Sequence, residues 1–230
     1  MHIQQSEFHD QLVRGLAHKM NNILSLFQGY LGLLLDDKKL DQNTLDGLAR
    51  IRDGATAAAD LFDRTKALAK PSTSIWSELC LAEFFQRVTP ALDSFAERGV
   101  KVEVECPENL PRLWVDTGRL RTAFYEIVRN ACEASLADGV VLVSAQEETA
   151  PQMTWLSITV TNNGPGIPPE HSEKIFQPFF STKKSRNAMG LGLSVSLGLV
   201  QQLGGVIRFA SDASRTTFRI LLPSRSAGVH

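Results

Sequence analysis

Asn162-Asn163-Gly164-Pro165-Gly166-Ile167 follows directly on a stretch in which Leu156, Ile158 and Val160 alternate with Ser157, Thr159 and Thr161. Alternation at period two predicts a half-buried strand. Two glycines one residue apart then let the backbone turn sharply and come close to a flat ligand. Val100, Val102, Val104 and Cys106 alternate in the same way, as do Phe218, Ile220 and Leu222, and Val140 to Val143 is continuously apolar, as in a central strand. Helical stretches are predicted at about 82–97, 117–137 and 190–203, with Asp116 as N-cap of the second and Gly204-Gly205 ending the third. Residues 77–223 therefore read as an α/β layer domain, with helices on a mostly antiparallel sheet.

Upstream the period changes. Leu12, Leu16, Met20, Ile23, Phe27, Tyr30 and Leu34 recur at steps of three and four, the stripe of a helix. Asp36 to Lys39 reads as a turn, and a second stripe runs through Leu45, Leu48, Ile51, Ala55, Ala58, Phe62, Thr65 and Leu68. A hairpin this small cannot bury both stripes alone. A second copy completing a four-helix bundle is the simplest remedy, so residues 1–72 predict a homodimer. Lys70-Pro71-Ser72-Thr73-Ser74 is a helix-stopping linker, and residues 224–230 read as a disordered tail.

Composition closes off other classes. The chain has 230 residues, 43% hydrophobic and 21% charged, and 24 basic against 25 acidic side chains give a net charge of −1. That balance argues against a nucleic-acid binder, which works by neutralising phosphates. No apolar run reaches the ~18 residues of a membrane span, so no direct membrane insertion is expected. Cys80, Cys106 and Cys132 form no C-x-x-C pair and read as reduced, buried thiols of a cytoplasmic protein.

Polar residues at helical spacing mark a possible site. In the helix after Asp116, Leu120, Phe124, Ile127, Val128, Ala131 and Ser135 share one side, while Glu126, Asn130 and Glu133 fall on the other, which by itself would be a solvated face. Downstream come Ile175-Phe176-Gln177-Pro178-Phe179-Phe180, then Lys183, Lys184 and Arg186 without an acid, then Gly190-Leu191-Gly192-Leu193 opening a helix. A glycine-rich helix start presents free N–H groups to a phosphate chain. It is neither a P-loop nor a dinucleotide fingerprint.

In this order, Glu126-Ile-Val-Arg-Asn130-Ala, Asn162-x-Gly164-x-Gly166, Phe176 to Lys183 and Gly190-x-Gly192-Leu193 resemble the four nucleotide-binding boxes of the histidine kinase/GHKL ATPase superfamily. Leu16-Ala17-His18-Lys19-Met20-Asn21-Asn22 resembles the phosphoacceptor box of bacterial sensor histidine kinases. The resemblance implies an α+β chain: an antiparallel helical hairpin forming a dimeric four-helix bundle, followed by a GHKL-type α/β sandwich. It implies ATP and Mg²⁺ as cofactors, a receiver domain of a response regulator as partner, and His18 as the phosphorylated side chain. Helical geometry agrees, since His18 lies roughly 200° from Leu16 and Met20 of the apolar stripe. His9 and His171 read as surface.

By the same resemblance Asn130 is the Mg²⁺ ligand, and Glu126 orients the ion's waters or a nucleophile. Gly164 and Gly166 frame the adenine pocket with Asn162. Gly190, Gly192 and Leu193 lie at the phosphates under a lid carrying Lys183, Lys184 and Arg186. Asn22 matches a small polar residue that aligns water for dephosphorylating a partner. Three departures stand out. Asn162 replaces an Asp that accepts from the adenine amino group, a loss of ~1 kcal/mol, or about fivefold in affinity. Lys19 replaces an acid thought to take the imidazole proton, and a positioned base is worth ~10²–10⁴ in rate. Ala188 stands where a further glycine is common.

The leading expectation is a histidine kinase core that phosphorylates His18 from ATP and passes the phosphoryl group to a response-regulator Asp. A degenerate kinase, serving as an ATP-independent phosphotransferase or docking scaffold, is the alternative. An ATP-gated dimer akin to mismatch-repair or topoisomerase ATPases is a third reading, from Glu126 before Asn130.

Overall fold

The computed structural model describes residues 2–35, 40–68, 75–95, 99–150, 153–183 and 190–224, with side chains in the first helix described only from residue 19. Two compact units emerge: residues 1–72 with 182–189, and residues 73–181 with 190–230.

The first unit is a pair of helices, α1 (His2–Leu35) and α2 (Gln42–Leu68). Asp41 starts α2, its carboxylate accepting from the Thr44 N–H at 3.0 Å and the Thr44 hydroxyl at 2.6 Å. Gln28 Nε2 donates to Thr56 Oγ1 across the pair at 3.2 Å. Among the described residues of α1, Leu24 and Leu31 are buried and Met20 of the predicted stripe is partly exposed. Ile23, Phe27, Tyr30 and Leu34 are instead exposed, at 46%, 56%, 68% and 47%. The turn at Asp36–Lys39 and the linker at Lys70–Ser74 lie outside the described residues.

The second unit carries a five-stranded sheet in the order β2-β4-β5-β7-β6, from β2 (Lys101–Glu105), β4 (Val140–Ala150), β5 (Met153–Asn163), β6 (Val206–Ser211) and β7 (Arg215–Pro223). Only β2 and β4 run parallel, with α4 (Thr117–Ala134) in the connection between them; the other three pairs are antiparallel. The middle place thus belongs to β5 rather than to Val140–Val143, which begin an eleven-residue strand. A separate two-stranded ribbon, β1 (Trp76–Leu79) with β3 (Leu113–Asp116), lacks any alternating apolar signature and was not foreseen.

Helices α3 (Leu81–Leu92), α4 and α5 (Gly192–Gln202) complete the layer. The predicted helix over 82–97 gives way after Leu92 to a 3₁₀ turn at Asp93–Phe95. Asp116 caps α4, accepting from the Arg119 N–H at 3.1 Å. Beyond α5, Gly204 takes φ +74°, and the N–H groups of Gly204 and Gly205 bond the carbonyls of Gln201 and Val200. That is a Schellman ending, which needs the left-handed conformation glycine accepts.

Alternation decides the core. Leu156, Ile158 and Val160 of β5 register with Phe218, Ile220 and Leu222 of β7 and with Val143 and Ala145 of β4, all nearly fully buried. Phe84 and Phe85 of α3 meet Phe124 of α4 at ring distances of 5.7 Å. Ser224 is not part of a loose tail: it is buried, and its N–H donates to Thr154 O at 2.8 Å. Residues 225–230 lie outside the described residues. Of the three free cysteines only Cys132 is buried, Cys80 and Cys106 being partly exposed.

Candidate functional site

Period two carries β5 one step past its apolar column, and that step is Asn162. It stands on the buried side after Leu156, Ile158 and Val160, is 2% exposed, and its Nδ2 has no hydrogen-bond partner among the described residues. A buried amide N–H without a partner costs about 1–3 kcal/mol, so a polar group missing from the chain itself is called for. Its register neighbour on β7 is Thr216, also buried. Thr216 Oγ1 lies 2.8 Å from Ser211 Oγ, which accepts from the Ile167 N–H at 2.8 Å.

The glycines make this end of the sheet concave. A Cβ at Gly164 would lie 2.4 Å from Ala134 O and 3.0 Å from Asn162 Nδ2. One at Gly166, where φ is +73°, would lie 1.9 Å from Asp212 O. Gly164 N–H donates to Ser214 O at 3.2 Å, tying the turn to the one between β6 and β7. There the N–H and hydroxyl of Ser214 hold the Asp212 carboxyl below the usual carboxylate range.

Helix α4 closes the other side. Ala134, against Gly164, lies one turn beyond Asn130, and Leu136 N–H donates to Asn163 O at 3.0 Å. Thus the end of α4, one turn beyond Asn130, meets the Asn162–Gly166 turn. The apolar side of α4 is buried as expected. Glu126, however, is 7% exposed, whereas Asn130 on the same side is half-buried and Glu133 exposed. Its Oε1 accepts from Arg129 Nη1 at 3.3 Å, and the Arg129 guanidinium stacks 5.0 Å from the Phe95 ring centre.

Helix α5 starts at Gly192 with no side-chain cap, leaving its first N–H groups to other acceptors. Ser196 Oγ locks it to α4 by donating to Ala123 O at 3.1 Å. Leu191 is buried, and Leu193 is partly exposed. Ahead of α5, Phe176 is wedged edge-on against Phe209 and Phe218 at 6.0 and 6.4 Å. Phe179 adopts φ +67° although 72% exposed, and its N–H donates to Gly190 O at 2.9 Å. A left-handed bulky residue is strained, a condition that clusters at functional sites. Gly190, itself at φ +66°, would place a Cβ 2.4 Å from Phe180 O. His171 is partly buried, its ring 5.3 Å from that of Phe180.

Lys183 is the last described residue before that segment; Lys184, Arg186 and Ala188 lie outside the described residues. In α1, Lys19 and Asn22 are exposed, while the side chains of His9 and His18 are not among those described. Sequence reasoning missed Thr216 and Ser211. Thr216 was visible as one step before Phe218, Ile220 and Leu222 on the same side.

The site suits a purine nucleotide. It offers an orphaned buried amide, a floor where side chains larger than hydrogen collide, and an uncapped helix start for anionic oxygens. Asn130 carries an amide oxygen, a hard donor of the kind a Mg²⁺ ion would accept.

Residues 115–226 match the family model of the histidine kinase-, DNA gyrase B-, and HSP90-like ATPase. The chain is 33% identical over 244 residues to the sensory histidine kinase/phosphatase NtrB of Escherichia coli O157:H7, covering 97% of this chain and 64% of NtrB. It is 27% identical over 225 residues to the sensor kinase CckA of Brucella abortus, covering 93% of this chain and 24% of CckA. The chain thus spans less than two thirds of either relative. Full-length ShkA, crystallised with AMPPNP, shares the fold at a TM-score of 0.73 and 22% identity, over 95% of this chain and 47% of ShkA. The nucleotide-free catalytic domain of the histidine kinase ThkA gives 0.57 at 27% identity, over 65% of this chain and 96% of ThkA.

Proposed function

We propose, for a chain whose residues 115–226 are a histidine kinase-, DNA gyrase B- and HSP90-like ATPase domain and which is homologous to sensor histidine kinases, that it is the core of a two-component histidine kinase. The observation that carries this reading is the unpartnered Nδ2 of Asn162, buried beside the glycine-lined turn and against the helix that bears Asn130.

Residues 77–223 bind ATP, with Asn162, Gly164 and Gly166 at the base and Gly190, Gly192 and Leu193 at the phosphates beneath Lys183. Asn130 would hold Mg²⁺, which would neutralise charge on the phosphates. Glu126 would orient the ion's waters or a nucleophile. Residues 1–72 dimerise and present His18. An imidazole nitrogen attacks the γ-phosphorus, a P–N bond forms as the bond to ADP breaks, and the ring proton leaves to a base. The phosphoryl group then passes to an Asp of a response-regulator receiver domain, and Asn22 aligns the water that hydrolyses it from that partner. The exposed Ile23, Phe27, Tyr30 and Leu34 support a homodimer, since a long apolar helical face left in water is unfavourable. A cytoplasmic location follows from the substrate.

The test is incubation with Mg²⁺ and γ-labelled ATP. A base-stable, acid-labile label that disappears in His18→Gln is expected; its absence from the wild-type protein overturns the kinase reading. Lys19, exposed beside His18, favours the second reading, an ATP-independent phosphotransferase. Label arriving from a phosphorylated receiver but not from ATP selects it.

A further inference from the structure

We propose that the floor of the base pocket does not distinguish a 6-amino from a 6-oxo purine, so that this chain binds inosine and adenine nucleotides alike. The inference deepens the nucleotide-binding reading and rests on it.

Two side chains form that floor, and each can reverse the direction of its hydrogen bonding. Asn162 is held at 2% exposure with an unpartnered Nδ2, and its amide carries donors on one atom and an acceptor on the other. The terminal torsion of asparagine is broad and roughly two-fold, so a half turn exchanges donor for acceptor. Thr216 sits beside it in register on the same side of the sheet. Its hydroxyl and that of Ser211 are 2.8 Å apart, and either can be the donor. The Ser211 proton has a second acceptor, Arg215 O at 3.2 Å, so turning it one way or the other frees Thr216 to donate or to accept.

The Watson–Crick edge of adenine shows a donor at position 6 and an acceptor at N1. Hypoxanthine reverses both, with an acceptor at position 6 and a donor at N1. A carboxylate at residue 162 would accept only and would face the 6-oxo group with like polarity. A site built to donate or accept in one sense rejects the opposite partner strongly, because a buried group is left unpaired. Here neither purine leaves one unpaired.

The test is equilibrium competition of Mg·ATP and Mg·ITP for the full chain against a fluorescent adenine nucleotide. Wild-type dissociation constants within about fivefold of each other are expected, and in Asn162→Asp a preference for ATP of about tenfold or more. A wild-type preference for ATP above about twentyfold, or an unchanged ratio in a folded Asn162→Asp, overturns the inference alone. Should the aspartate variant fail to fold, the wild-type ratio decides, with Thr216→Val expected to weaken both nucleotides by similar factors. Binding of neither nucleotide overturns the inference together with the nucleotide-binding reading.

Discussion

Gly164 lies so close under the end of α4 that a methyl group on its Cα would sit 2.4 Å from the carbonyl oxygen of Ala134. Both partners are backbone, so neither can swing away. Gly164→Ala should therefore push the glycine turn off the helix that carries Asn130. A loss of about 1–3 kcal/mol is expected, read as a fall of roughly 2–8 °C per kcal/mol in Tm. Nucleotide affinity should fall with it; an unchanged Tm and affinity would contradict the close approach.

Phe124 is wholly buried and touches the rings of both Phe84 and Phe85. Phe124→Ala removes that three-ring contact and leaves a cavity, at a cost of about 3–5 kcal/mol. Urea unfolding of the variant should show the lower midpoint with little change in slope.

Burial pushes the Cys132 thiol up to about 11 from 9.0, with the Glu133 charge adding to the effect. The raised value means the folded state keeps its proton while the unfolded chain gives it up. This contribution is complete below about pH 9 and lost as pH rises toward about 11. Cys132→Ala should therefore flatten the fall in stability between pH 8 and 10.5, and native alkylation of the wild-type thiol should be slow at pH 8. Rapid alkylation without unfolding would count against it.

Phe27 and Tyr30 are more than half exposed on α1. If they form the seam of a bundle, Phe27→Asp with Tyr30→Glu should convert a dimer into a monomer in sedimentation equilibrium. The far-UV signal of the sheet domain should stay intact.

In the proposed kinase, Lys19 stands next to His18 where the resemblance implies an acidic base. Lys19→Glu should raise the rate of His18 labelling by about 10²-fold, the low end for a positioned base, without altering ATP affinity. A rise in affinity with no rise in rate would place the effect elsewhere.

Much of this molecule is written in its periodicities. The alternation in β5 and β7, the apolar side of α4, the Asp116 cap and the Gly204–Gly205 ending are local rules, each set by residues within a turn or two of one another. The β1–β3 ribbon and β6 escaped because they are short and carry apolar residues such as Trp76, Trp114 and Val206 on their exposed side, which breaks the apolar–polar alternation. Likewise the apolar stripe of α1 announced a helix but not its partner. Leu24 and Leu31 are buried, while Ile23, Phe27 and Tyr30 are exposed.

The order and chemistry of the boxes, from Glu126-x-x-x-Asn130 to Gly190-x-Gly192, came from the chain's own residues and needed no coordinates. What only folding decided is which of those residues lose water. Asn162 looks like any turn asparagine until β4 and β7 pair on either side of it and α4 closes over the end, leaving its amide without a partner. Glu126 looks solvated until tertiary packing covers it and Arg129 bridges to Phe95. Burial is a property of several distant segments together, and a hydrogen bond left unmade becomes costly only once burial has removed the solvent that would make it.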